Sequence, residues 1–111
     1  LRSLLHADDP AARAHPELGL LWDPWRAERA ALDAAAHAAR LAHVRWSDGT
    51  REGRRALGAG AIDLAGHFAA LREPLLRLPC WGLDFEGCAE PAREARKATG
   101  FLRELTRASR R

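Results

Sequence analysis

The sequence predicts an all-α fold, a compact bundle of four to five helices in a single domain. Three observations carry this expectation. Ala and Leu supply most of the 47% hydrophobic fraction, and both are strong helix formers. Val44 and Ile62 are the only residues of their kinds and Tyr is absent, whereas strands favour β-branched and aromatic side chains. Apolar residues also recur at spacings of three and four along much of the chain, the period of a half-buried helix.

A chain of 111 residues accommodates one hydrophobic core and no second one. Residues 1–111 are therefore read as one helical domain, with residues 1–8 loosely ordered at its start. Asp8-Asp9-Pro10 combines a capping carboxylate with a proline where its missing N–H costs nothing, and predicts a short helix over 9–13. Pro16 and Gly19 weaken the next helix, expected over 16–22. Asp23-Pro24 repeats the cap-plus-proline signal and opens the longest expected helix, 25–46. Its polar face carries Arg26, Arg29, Asp33, His37 and Arg40. The opposite face carries Leu32, Ala35, Ala36, Ala39, Ala42, His43 and Trp46. Ser47-Asp48-Gly49-Thr50 reads as a turn, with Gly49 suited to ending a helix.

Leu57, Ala61, Leu64, Phe68, Leu71, Leu75 and Leu78 then form an apolar stripe, assigned to a helix over 51–72. Pro74 should end or kink that helix near Arg72. Leu78-Pro79-Cys80-Trp81-Gly82-Leu83-Asp84 is a connector. Asp84 resembles a cap, but Gly87 and Pro91 place the start of the last helix near Glu90-Pro91, giving 91–108.

Charge and cysteine content narrow the function classes. Eighteen basic residues against 15 acidic ones give a net charge of +3. Lys97 is the only lysine, and bases alternate with acids, as in Arg93, Glu94 and Arg96. A nucleic-acid surface more often carries a dense stripe of one sign. Arg51, Arg54 and Arg55 form the nearest approach to such a patch, followed by Arg107, Arg110 and Arg111, and both are read first as solvated helix surface. No apolar run reaches the roughly 20 residues of a membrane-spanning helix, so no membrane partner is expected. The opening residues are too polar for a signal peptide, and the lack of an initiator Met suggests that residues precede Leu1. Cys80 and Cys88 lack the spacing of redox or zinc motifs. These features place the protein in the cytoplasm with free thiols.

Several short motifs fall in a recognisable order. Ala14-His15 is followed by Trp22. His43 lies on the alanine-rich segment, Gly49 to Arg55 forms a turn with arginines, and Leu78-Pro79-Cys80 and Gly82-Leu83-Asp84 precede the last helix. This order resembles the small prokaryotic all-helical family catalogued as domain of unknown function three hundred and nine, over roughly residues 12 to 105. Members carry an A-H-E-x-x-E-x-x-W helix, a G-N-x-x-G-A turn and a late G-hydrophobic-D. The resemblance implies a helical fold and no particular activity. Pro16 and Gly19 stand where the family keeps its two glutamates, leaving Glu17 as the nearby carboxylate.

The candidate polar site is His15, Glu17 and His43 beside Trp22. Two histidines and a carboxylate would supply three ligands to a divalent metal, with a position open to water, or an acid–base pair. The plainer reading makes His43 a hydrogen-bonded residue at a helix interface and His15 the residue before a helix start. His6, His37 and His67 show no partner pattern. No His or Lys near Cys80 in sequence would activate its thiol, and the tryptophans Trp22, Trp25, Trp46 and Trp81 are expected at core corners. Gly58-Ala59-Gly60 follows no strand signal and is not read as a nucleotide loop.

The sequence therefore favours a non-enzymatic interaction module, self-associating as a homodimer through its Ala- and Leu-rich face, with no cofactor. The alternative is a small metal-dependent or acid–base enzyme using His15, Glu17 and His43. A third reading is nucleic-acid binding through Arg51, Arg54 and Arg55.

Overall fold

The computed structural model describes residues 5–6, 9–10, 14, 19–29 and 38–108, and it corrects the all-α expectation. The protein is a mixed α/β fold, not a helical bundle. Four strands, β1 (Leu5–His6), β2 (Leu20–Trp22), β3 (Leu41–Trp46) and β6 (Gly82–Leu83), form one sheet in the order β1-β2-β3-β6. Every neighbouring pair in it is parallel. A separate antiparallel hairpin pairs β4 (Asp48–Thr50) with β5 (Gly53–Arg55). The described helices longer than one turn are α1 (Pro24–Arg29), α2 (Leu64–Leu76) and α3 (Pro91–Ala108).

The expected helix over 25–46 is thus a short helix at its start and a central strand at its end. Leu41–Trp46 alternates: Val44 and Trp46 are fully buried while His43 and Arg45 are only half-buried. That is the period of two in a strand with one face on the core. The single valine of the chain sits at its centre. The helix expected over 16–22 ends in β2, where Leu20 and Trp22 are buried. The helix expected over 51–72 is a hairpin turn, a strand and a loop before α2 begins at Leu64. Alanine propensity lost to tertiary packing in the first case, since burying Val44 and Trp46 outweighs a helix preference of tenths of a kcal/mol per residue. Gly49 ends no helix; it lies within β4, where a Cβ would strike the Trp25 indole ring. Residues 11–13 of the helix expected over 9–13 lie outside the described residues.

Other expectations hold. Pro24 opens α1, and the Asp23 carboxylate accepts the Arg26 N–H at 3.1 Å, a side-chain cap. Ser47 at the end of β3 donates its hydroxyl to the same carboxylate and accepts the Trp25 N–H at 3.1 Å. Arg45 adds an ion pair to Asp23 at 2.8 Å. The ends of β2 and β3 and the start of α1 are thereby tied into one network. Asp63 caps α2, accepting the Gly66 N–H at 3.0 Å. The predicted effect of Pro74 is a kink, with Leu71 leaving helical geometry at φ −112° and ψ 17°. The last helix spans the predicted residues.

The described helices pack on one face of the sheet. Trp22, Val44 and Trp46 from the strands meet Ala27 of α1, Leu64, Phe68, Leu71 and Leu75 of α2, and Leu102 and Leu105 of α3. Trp46 stands edge-on to Trp22 and Trp81, with centroids 5.6 and 5.4 Å apart, and Phe68 lies 5.9 Å from Trp81. Such edge-to-face pairs add about 0.5–1.5 kcal/mol each to the burial of the rings.

Below this core, Asp48 organises the loop leading to α2. Its carboxylate is 1% exposed and accepts four backbone N–H groups. Oδ1 takes those of Gly49 (2.8 Å) and Ile62 (3.2 Å), and Oδ2 those of Gly58 (2.9 Å) and Gly60 (3.1 Å). Four such donors satisfy both buried oxygens from the protein's own backbone.

Candidate functional site

Among the described residues, β6 is an edge strand of the sheet. Leu83 lies opposite Trp46, and the Asp84 N–H donates to the Trp46 carbonyl at 3.2 Å. In a parallel ladder, successive residues turn their backbone groups to alternate sides. Gly82 and Asp84 therefore face β3, and the N–H and C=O of Leu83 face outward. Among the described residues they have no hydrogen-bond partner.

A groove of about 500 Å³ runs beside this edge, between it and α3. Trp81, Leu83 and Leu102 give it apolar walls, and Thr99, Arg103, Thr106 and Arg107 line the helical side. The Trp81 ring is held by its N–H, which donates to the Leu75 carbonyl at 2.9 Å. Thr99 and Thr106 donate their hydroxyls to the Ala95 and Leu102 carbonyls at 2.8 and 2.9 Å, so both bond back onto their own helix. Arg107 pairs with Glu104 at 2.9 Å on the exposed surface, a contact of about 0.3–0.5 kcal/mol. Arg103 has no ion pair among the described residues.

The groove is fixed in position by Arg54. Its guanidinium donates to the Asp84 carbonyl and to Glu94 Oε1, the latter at 2.9 Å, and its Nε lies 3.4 Å from Asp84 Oδ2. One side chain of β5 thus joins the end of β6 to the first turn of α3. Beside the junction, the neighbouring Glu94 carboxyl pushes the Cys88 thiol up from its ordinary value, with burial adding to the effect. The Cys88 thiol, followed by the Arg54 guanidinium, holds the Glu94 carboxyl below its ordinary value. A thiol so raised is a poor nucleophile at neutral pH. Cys80 is exposed, and neither cysteine is in a disulfide.

The residues singled out in the sequence are distributed as follows. Trp22 is a core residue, 2% exposed. His43 neighbours the Trp22 partner Val44 on β3 and so projects from the opposite face of the sheet, over Gly82, where a Cβ would come within 2.8 Å of its Nε2. His15 and Glu17 lie outside the described residues. No group of three or more His, Cys, Asp or Glu able to hold a metal occurs among the described residues. Arg51 is exposed at the hairpin turn, Arg55 bonds to the Arg54 carbonyl at 2.8 Å and faces Glu52 at 3.5 Å, and Arg54 is the internal clamp. His67 faces Glu28 at 3.4 Å and packs edge-on to Trp22. No described helix is long and apolar enough to cross a membrane.

A second cleft, of about 560 Å³, lies between Trp25, Glu28, Arg51 and Ile62. The sequence reading missed the β6 groove because the edge exists only once β3 is a strand. The signal was present in the alternation Trp81, Leu83, Phe85, which has the period of a strand.

Comparison of the chain with protein-family models, with curated proteins and with solved structures finds no match.

Proposed function

We propose that the protein is a non-enzymatic interaction module that binds an extended segment of a partner protein along β6. The observation that carries the reading is the outward N–H and C=O of Leu83 beside an apolar groove. An exposed edge accepts a further strand: the main chain supplies hydrogen bonds and the flanking pocket selects side chains.

A different protein suits this edge better than a second copy. Two-fold pairing of β6 with β6 places the same patch of each copy against the other. That pairing sets two arginine-bearing surfaces, each with Arg103 and Arg107, against one another, and like charges across an interface cost affinity.

The test is selection of peptides from a random display library on the immobilised protein. The peptides recovered should bind the wild type and fail to bind Thr99→Trp, whose indole fills the groove while Thr99 itself is exposed. Recovery of no peptide, or equal binding to the filled variant, overturns the reading.

A further inference from the structure

The groove's charge specifies its occupant more closely, an inference that rests on the interaction reading above. We infer that the segment docking on β6 is acidic, with two carboxylates at alternate positions that meet Arg103 and Arg107.

Spacing supports this. Arg103 and Arg107 are four residues apart on α3, which places them about 6 Å apart along the helix. Residues i and i+2 of an extended strand point to the same side and are separated by about 6.8 Å. Acids at alternate positions of an added strand therefore match the arginines in step. An apolar residue two positions further along the same side meets the wall formed by Trp81, Leu83 and Leu102.

The wider surface of α3 has the same sign. Arg96 and Lys97 are exposed and, among the described residues, carry no ion pair. Glu94 is engaged by Arg54. Among the described residues, Glu104 is the one acid paired with the groove's arginines, and its pair with Arg107 is exposed on both sides, about 70% and 67%. Such a pair gives way readily to a better-placed carboxylate. Arg is also the side chain best suited to bidentate recognition of carboxylates.

The experiment uses three acetylated, fluorescently labelled probes read by anisotropy. The first carries Leu-Thr-Glu-Thr-Glu flanked by Thr, the second has Gln for both Glu, and the third has Lys for both. The Glu probe should bind the wild type at least about tenfold more tightly than the Gln probe at low salt, with the advantage shrinking as salt rises. The Arg103→Glu/Arg107→Glu double variant changes two exposed positions, and it should reverse the order so that the Lys probe binds best. A Glu probe N-methylated along its pairing edge should lose binding. If the Glu and Gln probes bind the wild type equally and both need unmethylated amides, the acidic preference is wrong while strand addition stands. If no probe binds, both fall.

Discussion

Gly60 presses its backbone so closely on Asp48 that a Cβ there would collide with Asp48 Oδ1. The Gly60 N–H meanwhile donates to Oδ2 of the same carboxylate. Neither partner can withdraw, because Asp48 is buried and bonded to three further amides. Gly60→Ala should therefore cost about 2–4 kcal/mol, from overpacking and weakened hydrogen bonds. Urea unfolding measures it, and a loss below about 0.5 kcal/mol would show that the loop accommodates a methyl group.

Asp48 cannot be replaced by its nearest isostere. Each carboxylate oxygen accepts two backbone N–H groups. In Asp48→Asn, the amide nitrogen would point its own hydrogens at one of these pairs of donors. We expect Asp48→Asn to lose roughly 3 kcal/mol, close to the loss in Asp48→Ala. Retention of stability in the Asn variant alone would mean that charge and geometry matter less here than size.

The Glu94 junction predicts a pH dependence. Its carboxyl is held below its ordinary value by the Cys88 thiol first and Arg54 next. A carboxyl with a folded value below its unfolded one contributes stability above the unfolded value, near 4.3 for glutamate. That contribution disappears as pH falls through the folded value. Denaturation midpoints measured from pH 7 down to pH 3 should fall more steeply for the wild type than for Glu94→Gln. Parallel profiles would remove Glu94 from the acid response.

Certain features of this fold are local and could be read directly. Asp23-Pro24, Pro74 and Glu90-Pro91 act through their own backbone geometry, and the start of α1, the kink in α2 and the start of α3 lie where these residues predict. The stripe of Leu64, Phe68, Leu71 and Leu75 is buried as its spacing implies. The strands were hidden for a physical reason. Short parallel strands are stabilised by distant partners and by helices on their faces, and β2 and β6 have only three and two residues. A period of two is hard to distinguish from a helix edge over so few positions. Ala42 and Leu41 also favour a helix locally, and only the paired burial of Val44 and Trp46 decides against it.

The site was legible in part. Gly82-Leu83-Asp84 stood out as a motif, but its consequence depends on which strand it pairs with. Arg54 belonged to an apparent surface patch and proves to be half-buried, clamped between Asp84 and Glu94. Sequence proximity grouped it with Arg51 and Arg55, while long-range pairing gives it a different role.

Amide hydrogen exchange at Leu83 reports on strand addition at β6. In the free protein the Leu83 amide should exchange much faster than those of Gly82 and Asp84, which face β3. Saturation with a peptide recovered by display should slow Leu83 at least tenfold while changing Gly82 and Asp84 little. A Leu83 amide already protected in the free protein, or unchanged in the complex, would contradict docking by strand addition at β6.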